Sequence, residues 1–193
     1  MTACSTGLGG MSLSIAVEEL ARLGANTFLH VGIAEPLHDT ALATELIIPK
    51  GAVRFDGTSH DYVRPEFPAL AHFEIVMAAI AAAERQKLSY RVEIVASMAS
   101  SGWSSSGELS QIMKERTAPI RQALQQVDVI GGSGQEATLF IQSALYGFRA
   151  GAILQSAGDD EAILASLEAM RILAEWDKAK IAQNLPHLVP PVV

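Results

Sequence analysis

Two stretches of this sequence combine residue types and spacing that could do chemistry: Gly7-Leu8-Gly9-Gly10, and Gly132-Ser133-Gly134-Gln135-Glu136-Ala137. Each is a glycine-rich turn that runs into an apolar-periodic segment. A helix opening behind such a turn offers free backbone N–H groups to an anion. The first stretch misses the dinucleotide pattern G-x-G-x-x-G, because Ser12 stands where the last glycine belongs. The second fits the looser G-x-G-x-x-A form, but the strand after it reads Gly151–Gln155 and ends in no acidic residue for a ribose. A tight turn requiring positive φ accounts for these glycines without any cofactor. The five histidines, His30, His38, His60, His72 and His187, show no metal-ligand spacing. His30 ends a strand that must be buried, which suits a core or cleft histidine. His72 and His187 read as structural or solvated. Cys4 reads as a small core residue, and no G-x-S-x-G elbow is present.

The elements that must position these groups follow from hydrophobic period and turn chemistry. A short strand is expected at Thr2–Ser5, a helix at Ser12–Leu23 and a buried strand at Thr27–Val31. Glu45–Pro49 and Ala52–Phe55 read as two short strands around a Lys50-Gly51 turn, followed by a loop over Asp56–Pro68. Ala69–Gln86 is an alanine-rich helix and Arg91–Ser97 a strand. A serine–glycine loop around Trp103 leads into a helical stretch, Ser110–Gln125, that Pro119 should kink or divide. Val127–Ile130 and Gly151–Gln155 are strands; Gln135–Tyr146 and Asp160–Ala182 are helices. Strands alternating with helices imply an α/β three-layer sandwich with a mainly parallel or mixed central sheet. The 193 residues are read as one domain, 1–193, with no repeat and no linker.

Composition narrows the function classes. Hydrophobic residues make up 49% and charged ones 18%, a globular balance, and the net charge of −7 argues against nucleic acid as partner. A single cysteine excludes a disulfide framework. No signal-peptide pattern and no apolar run long enough for a bilayer is seen, so no membrane association and a cytoplasmic location are expected.

The stretch "CSTGLGGMSLSIAVEELARLGANTFL" resembles the glycine-rich segment of the nucleoside phosphorylases, specifically the uridine phosphorylase branch. The similarity continues through "GAVRFDGTSHDYVRPEFPAL" and returns at "QEATLFIQSALYGFRAG". Enzymes of this family split a nucleoside with inorganic phosphate into a free base and ribose 1-phosphate, through a transition state resembling an oxocarbenium ion. The resemblance implies that the turn Gly7–Gly10 lines a nucleoside pocket, with Gly7, Gly9 and Gly10 allowing close backbone approach and Leu8 packing on the ribose. It implies that Gly32 closes the strand carrying the phosphate contacts, that Trp103 offers a stacking surface, and that Gln135 or, with a one-residue slip, Glu136 holds sugar hydroxyls.

The same comparison shows departures. The family's first phosphate loop belongs to a segment preceding anything matched here, so the chain reads as N-terminally shortened. The family's Arg-x-Gly-Thr-Thr-Gly is here His30-Val31-Gly32-Ile33-Ala34-Glu35, which replaces the phosphate arginine by His30 and the phosphate threonine by Ile33. Glu35 puts negative charge where phosphate would sit. The glutamine and arginine that read the pyrimidine have no counterpart, and a later Asn-Arg pair becomes Asp159-Asp160. The expectation is a pentosyltransferase-type protein that is weak or inactive as this chain, a possible pseudoenzyme. Three other readings stand beside it: a diverged hydrolase or phosphorylase with altered substrate, a non-catalytic nucleoside- or base-binding protein, and an assembly subunit of an intact paralogue. No cofactor is implied, with inorganic phosphate as co-substrate if the chain is active. The resemblance also implies a homodimer or hexamer, with Tyr62–Phe73 and the tail Leu185–Val193 as contact surfaces.

Overall fold

In the computed structural model, described for residues 1–37, 45–99, 108–156 and 160–183, a mixed, curled sheet carries helices on both faces. The strands are β1 (Thr27–Ile33), β2 (Glu35–Pro36), β3 (Leu46–Phe55), β4 (Ala69–Leu70), β5 (Tyr90–Met98), β6 (Gly131–Ser133) and β7 (Arg149–Gln155). The helices are α1 (Gly9–Arg22), α2 (Thr58–Tyr62), α3 (Phe73–Gln86), α4 (Glu108–Gln126), α5 (Glu136–Tyr146) and α6 (Glu161–Gln183).

The strand order is β1-β7-β3-β5-β6-β2, with β4 pairing β3 off this path. The pairs β1–β7, β3–β5 and β5–β6 are parallel, whereas β3–β7, β2–β6 and β3–β4 are antiparallel. Only Ala34 separates β1 from β2, yet the two lie at opposite ends of the order. The same stretch of chain therefore borders both β7 and β6, and the sheet must curl to bring these borders together. This curl sets the end of β1 beside the turn that opens α5.

Side chains alternate across the strands and feed different cores. Ala150, Ala152 and Leu154 of β7 pack with Leu13 and Val17 of α1 and with Phe140 and Ile141 of α5. Ile153 faces the other way, into the layer of Ile75, Ala78 and Ala82 of α3 and Ala169, Ile172 and Leu173 of α6. A smaller cluster joins Leu124 of α4 to Ala96 of β5, with Leu37 and Val129. Burial of each such Leu, Ile or Phe contributes about 1.5–3 kcal/mol.

Several expectations shift, each for a local reason. Residues 2–5 lie exposed and outside any ladder, so the expected first strand does not form. The two short strands merge into β3, because Lys50 is accommodated by a register shift between Pro49 and Gly51 while pairing with β5 continues on either side. The loop after β3 contains the short helix α2. Ala69 and Leu70 join the sheet opposite Ala52 and Gly51, which delays α3 until Phe73. His72 caps that helix, its Nδ1 accepting from the Glu74 N–H at 3.3 Å. Helix α4 runs unbroken through Pro119. Residues 127–130 form the turn closing α4, with Asp128 at φ +56° and Val129 N–H donating to Leu124 O; the ladder begins only at Gly131.

Candidate functional site

The turn before α1 and the turn before α5 lie against each other. Gln135 precedes α5 and sends both amide hydrogens back to the first turn, donating from Nε2 to Gly7 O at 3.0 Å and to Gly9 O at 3.2 Å. Gly7 and Gly9 take φ values of +72° and +81°, and those conformations turn their carbonyls toward this one side chain. Gly10 is buried against Thr138 of α5. Leu8, at the tip of the turn, is exposed.

The second half of the site is an ion pair between residues 106 positions apart. His30 of β1 approaches Glu136 at the first position of α5, Nδ1 to Oε1 at 2.8 Å. The Glu136 side chain is fully buried, and that of His30 is 16% exposed. The other carboxylate oxygen accepts from Ser133 Oγ and from the Gln135 N–H at 3.2 Å. A carboxylate at the start of an 11-residue helix also faces the positive end of the helix dipole. An ionised carboxylate only accepts, so the proton between the two groups sits on Nδ1. Nε2 then carries a lone pair when the imidazole is neutral. Gly32 leaves space for the ring, since a Cβ there would meet His30 Cε1 at 2.6 Å and Nε2 at 3.1 Å.

A third layer holds the α5 turn from behind. Ser97 of β5 accepts from the Ala137 N–H at 3.2 Å. Thr138 donates to the buried Asp56, which also accepts from Ser59 Oγ at 2.6 Å. Arg54 organises the chain after β3 by donating to the carbonyls of Ser59, Val63, Arg64 and Phe67 at 2.6–2.7 Å.

The structure thus brings together Gly7, Gly9, Gly10, His30, Gly32, Gln135 and Glu136. Gln135 and Glu136, expected to hold sugar hydroxyls, are engaged with the first turn and with His30. Trp103 and Asp159 lie outside the described residues. Sequence reading named His30 and Glu136 separately and did not pair them. The available signal was a histidine late in one strand and a glutamate opening a helix after another, which become neighbours only through the curl. Ser97, Asp56 and Thr138 carried no signal beyond being polar among apolar residues.

Comparison with known proteins bears on this arrangement. The model of the phosphorylase superfamily matches residues 1–178. The chain belongs to the phosphorylase superfamily, on its uridine phosphorylase-like branch. It is 39% identical over 189 residues to a uridine phosphorylase of Thermococcus kodakarensis, a match covering 91% of this chain and 68% of that protein. A uridine phosphorylase of Treponema pallidum is 31% identical over 192 residues, covering 95% and 74%. A guanosine phosphorylase of Halorubrum lacusprofundi is 38% identical over 84 residues, covering 44% of this chain and 35% of that protein. Among the described residues of this superfamily member, no group of three or more His, Cys, Asp or Glu side chains is placed to hold a metal ion, and no helix is long and apolar enough to cross a membrane.

Proposed function

We propose that this chain is a single phosphorylase-like domain that binds a nucleoside or its base at the joined turns, and that it performs phosphorolysis weakly or not at all. The observation that carries this reading is the His30–Glu136 pair. The resemblance implies that His30 stands where the family has a phosphate-binding arginine. A protonated imidazole there has its charge offset by a fully buried carboxylate, so it adds little attraction for a dianion. Losing a single charge-stabilising donor already costs on the order of 10²–10³ in rate. Uridine and guanosine are the substrates to try first, because the similar proteins are named for them. Inorganic phosphate would be the co-substrate of any phosphorolysis, and no cofactor is called for. A cytoplasmic location is part of this reading.

The test is a thermal-shift panel of uridine, guanosine, uracil and guanine, with and without phosphate, alongside a phosphorolysis assay. Nucleoside should raise Tm, as any ligand of the folded state does, and phosphate alone should not. Fast, phosphate-dependent release of uracil from uridine would overturn the reading.

Assembly is supported by a separate observation. Phe67, Leu70 and Phe73 are exposed within Tyr62–Phe73, one of the two stretches expected to make contacts, the tail Leu185–Val193 lying outside the described residues; Leu8, Met11 and Ile15 add an exposed apolar face at the start of α1. We infer a homodimer or larger homo-oligomer, or pairing with a paralogue. Light scattering that gives a monomer at tens of micromolar, with no partner co-purifying, would rule it out.

A further inference from the structure

We propose that His30 and Glu136 form a general-base dyad that activates water, so that this chain cleaves its nucleoside by hydrolysis. The inference rests on the reading that a nucleoside binds at the joined turns. Three observations point to it. Glu136 is fully buried and fixed through its second oxygen by Ser133 and the Gln135 N–H, so its first oxygen holds the His30 ring in one orientation. That contact fixes the proton on Nδ1 and directs the basic lone pair to Nε2. Among the described residues no hydrogen bond is made to Nε2, and Gly32 lets the ring keep this position, since a Cβ there would come within 3.1 Å of that nitrogen. An oriented, partly exposed imidazole backed by a buried carboxylate is the arrangement that lets histidine take a proton from a nucleophile.

The charge balance favours water over an anion. With its imidazole neutral the dyad carries one negative charge, on Glu136, and protonation of His30 only cancels it. In the step itself, Nε2 takes a proton from water while the water oxygen bonds to C1′ of the sugar. The C1′–N bond breaks and its electron pair leaves with the base. The imidazolium formed is stabilised by Glu136, and its proton passes to the departing base directly or through solvent. The products are a free base and a free sugar, and no other reactant is consumed. Glu136 acts through His30 and is a positioning residue; His30 is the catalytic one.

The experiment uses the full chain with uridine and with guanosine in phosphate-free buffer, and then with phosphate added. Base release and the sugar product are measured together, as reducing sugar against sugar 1-phosphate. The expected result is base release at the same rate with and without phosphate, with free sugar as the product. His30→Ala should lower kcat by about 10²–10⁴ while retaining the nucleoside-induced rise in Tm. Glu136→Gln should lower kcat by at least about ten-fold while leaving KM and the nucleoside-induced rise in Tm in place, because the carboxylate acts through the imidazole and not on the bound nucleoside. A merely structural role for Glu136 would lower folding yield and binding together, with no selective fall in kcat. Nucleoside-induced stabilisation without base release would overturn this inference alone. Release that yields sugar 1-phosphate, or full activity in His30→Ala, would overturn it as well. If no nucleoside raises Tm, the binding reading falls and this inference falls with it.

Discussion

Glu74 and Glu136 are both buried carboxylates set against the β1–β7 pair, on opposite faces of the sheet. On the α3–α6 face, Glu74 meets Lys180 of α6 and the Arg149 guanidinium of β7, the latter at 2.9 Å. Arg149 also grips Asp177 at 2.7 and 2.8 Å and donates to Thr27 of β1 at 3.0 Å. On the α1–α5 face, three residues further along β1, Glu136 meets one imidazole. Two cations against two carboxylates give a closed set that ties α3, α6, β1 and β7 together. The second site answers its carboxylate with a group that has another nitrogen to offer. The same burial of charge thus serves cohesion where every strong donor is spent, and leaves a ring nitrogen over where the partner is an imidazole.

Breaking the closed set should produce the largest effect. Glu74→Ala removes the carboxylate between Lys180 and Arg149 and leaves an almost fully buried ammonium without this partner. Removing one member of a buried pair costs about 3–5 kcal/mol, to be read from urea denaturation. The pH dependence follows the same logic. Burial pushes the Glu74 carboxyl up, but the hydrogen bonds and charges of Lys180 and Arg149 outweigh it and hold the group below its ordinary 4.5. A lowered folded value means that the stabilisation is present above about pH 4.5 and is lost as pH falls through the folded value. Acid denaturation of the parent chain should therefore steepen below that point, and Glu74→Gln should flatten it.

A glycine on each face sharpens the contrast. A Cβ on Gly151 would lie 2.2 Å from Ile75 Cγ2 and 2.9 Å from its Cβ, so α3 sits on β7 with no room between them. Gly151→Ala should cost about 1–3 kcal/mol, as overpacking does, seen as a lower denaturation midpoint. A Cβ on Gly32 would meet the far edge of the His30 ring at 2.6 Å and Leu154 Cδ2 no closer than 3.4 Å. Gly32→Ala should therefore cost less stability than Gly151→Ala and act on turnover, by swinging the ring off Glu136. A larger stability loss from Gly32→Ala would show that the two faces are packed alike.

Much of the framework was legible because it rests on local patterns. The apolar run Gly151–Gln155 was read as a strand and lies within β7, where it is buried on both faces, and the family resemblance fixed the branch. The errors fell where pairing overrides pattern. The apolar run Val127–Ile130 has the composition of a strand, yet the left-handed Asp128 spends it on closing α4, and the glycines that follow make the ladder. Ala69 reads as helix by propensity and is taken by the edge of β3. In the site, the glycine turns and His30 were visible. The ion pair was hidden because it depends on β1 and β6 meeting through the curl, a tertiary fact with no signature in spacing.

If the dyad is tuned for chemistry rather than cohesion, weakening it should cost less stability than weakening the closed set. Glu136→Gln keeps size and one acceptor oxygen, which can still serve His30 Nδ1. It weakens charge-assisted hydrogen bonds but leaves no buried cation behind, since the imidazole can stay neutral. A loss of about 1–2 kcal/mol is expected, below that of Glu74→Ala, measured in the same denaturant series. Equal losses would make the two clusters equivalent and remove the distinction drawn between them.

A third cluster, on the surface, tests whether perturbed ionisation alone marks either kind of site. Hydrogen bonds from Arg171, then Arg85, hold Glu168 down to about 2, and this group links α3 to α6 as Glu74 does. Yet the Arg171 side chain is 57% exposed, so water screens the pair and both partners remain solvated when it breaks. Exposed ion pairs contribute only about 0.2–1 kcal/mol. Glu168→Gln should therefore produce the smallest change of the series despite its low pKa. The change should shrink further near 1 M salt, where the screening length falls to about 3 Å. The loss in Glu74→Ala should persist at the same salt, because its ammonium partner is out of reach of counterions. A Glu168→Gln loss as large as that of Glu74→Ala, or one indifferent to salt, would mean that burial is not what separates the cohesive cluster from the solvated one.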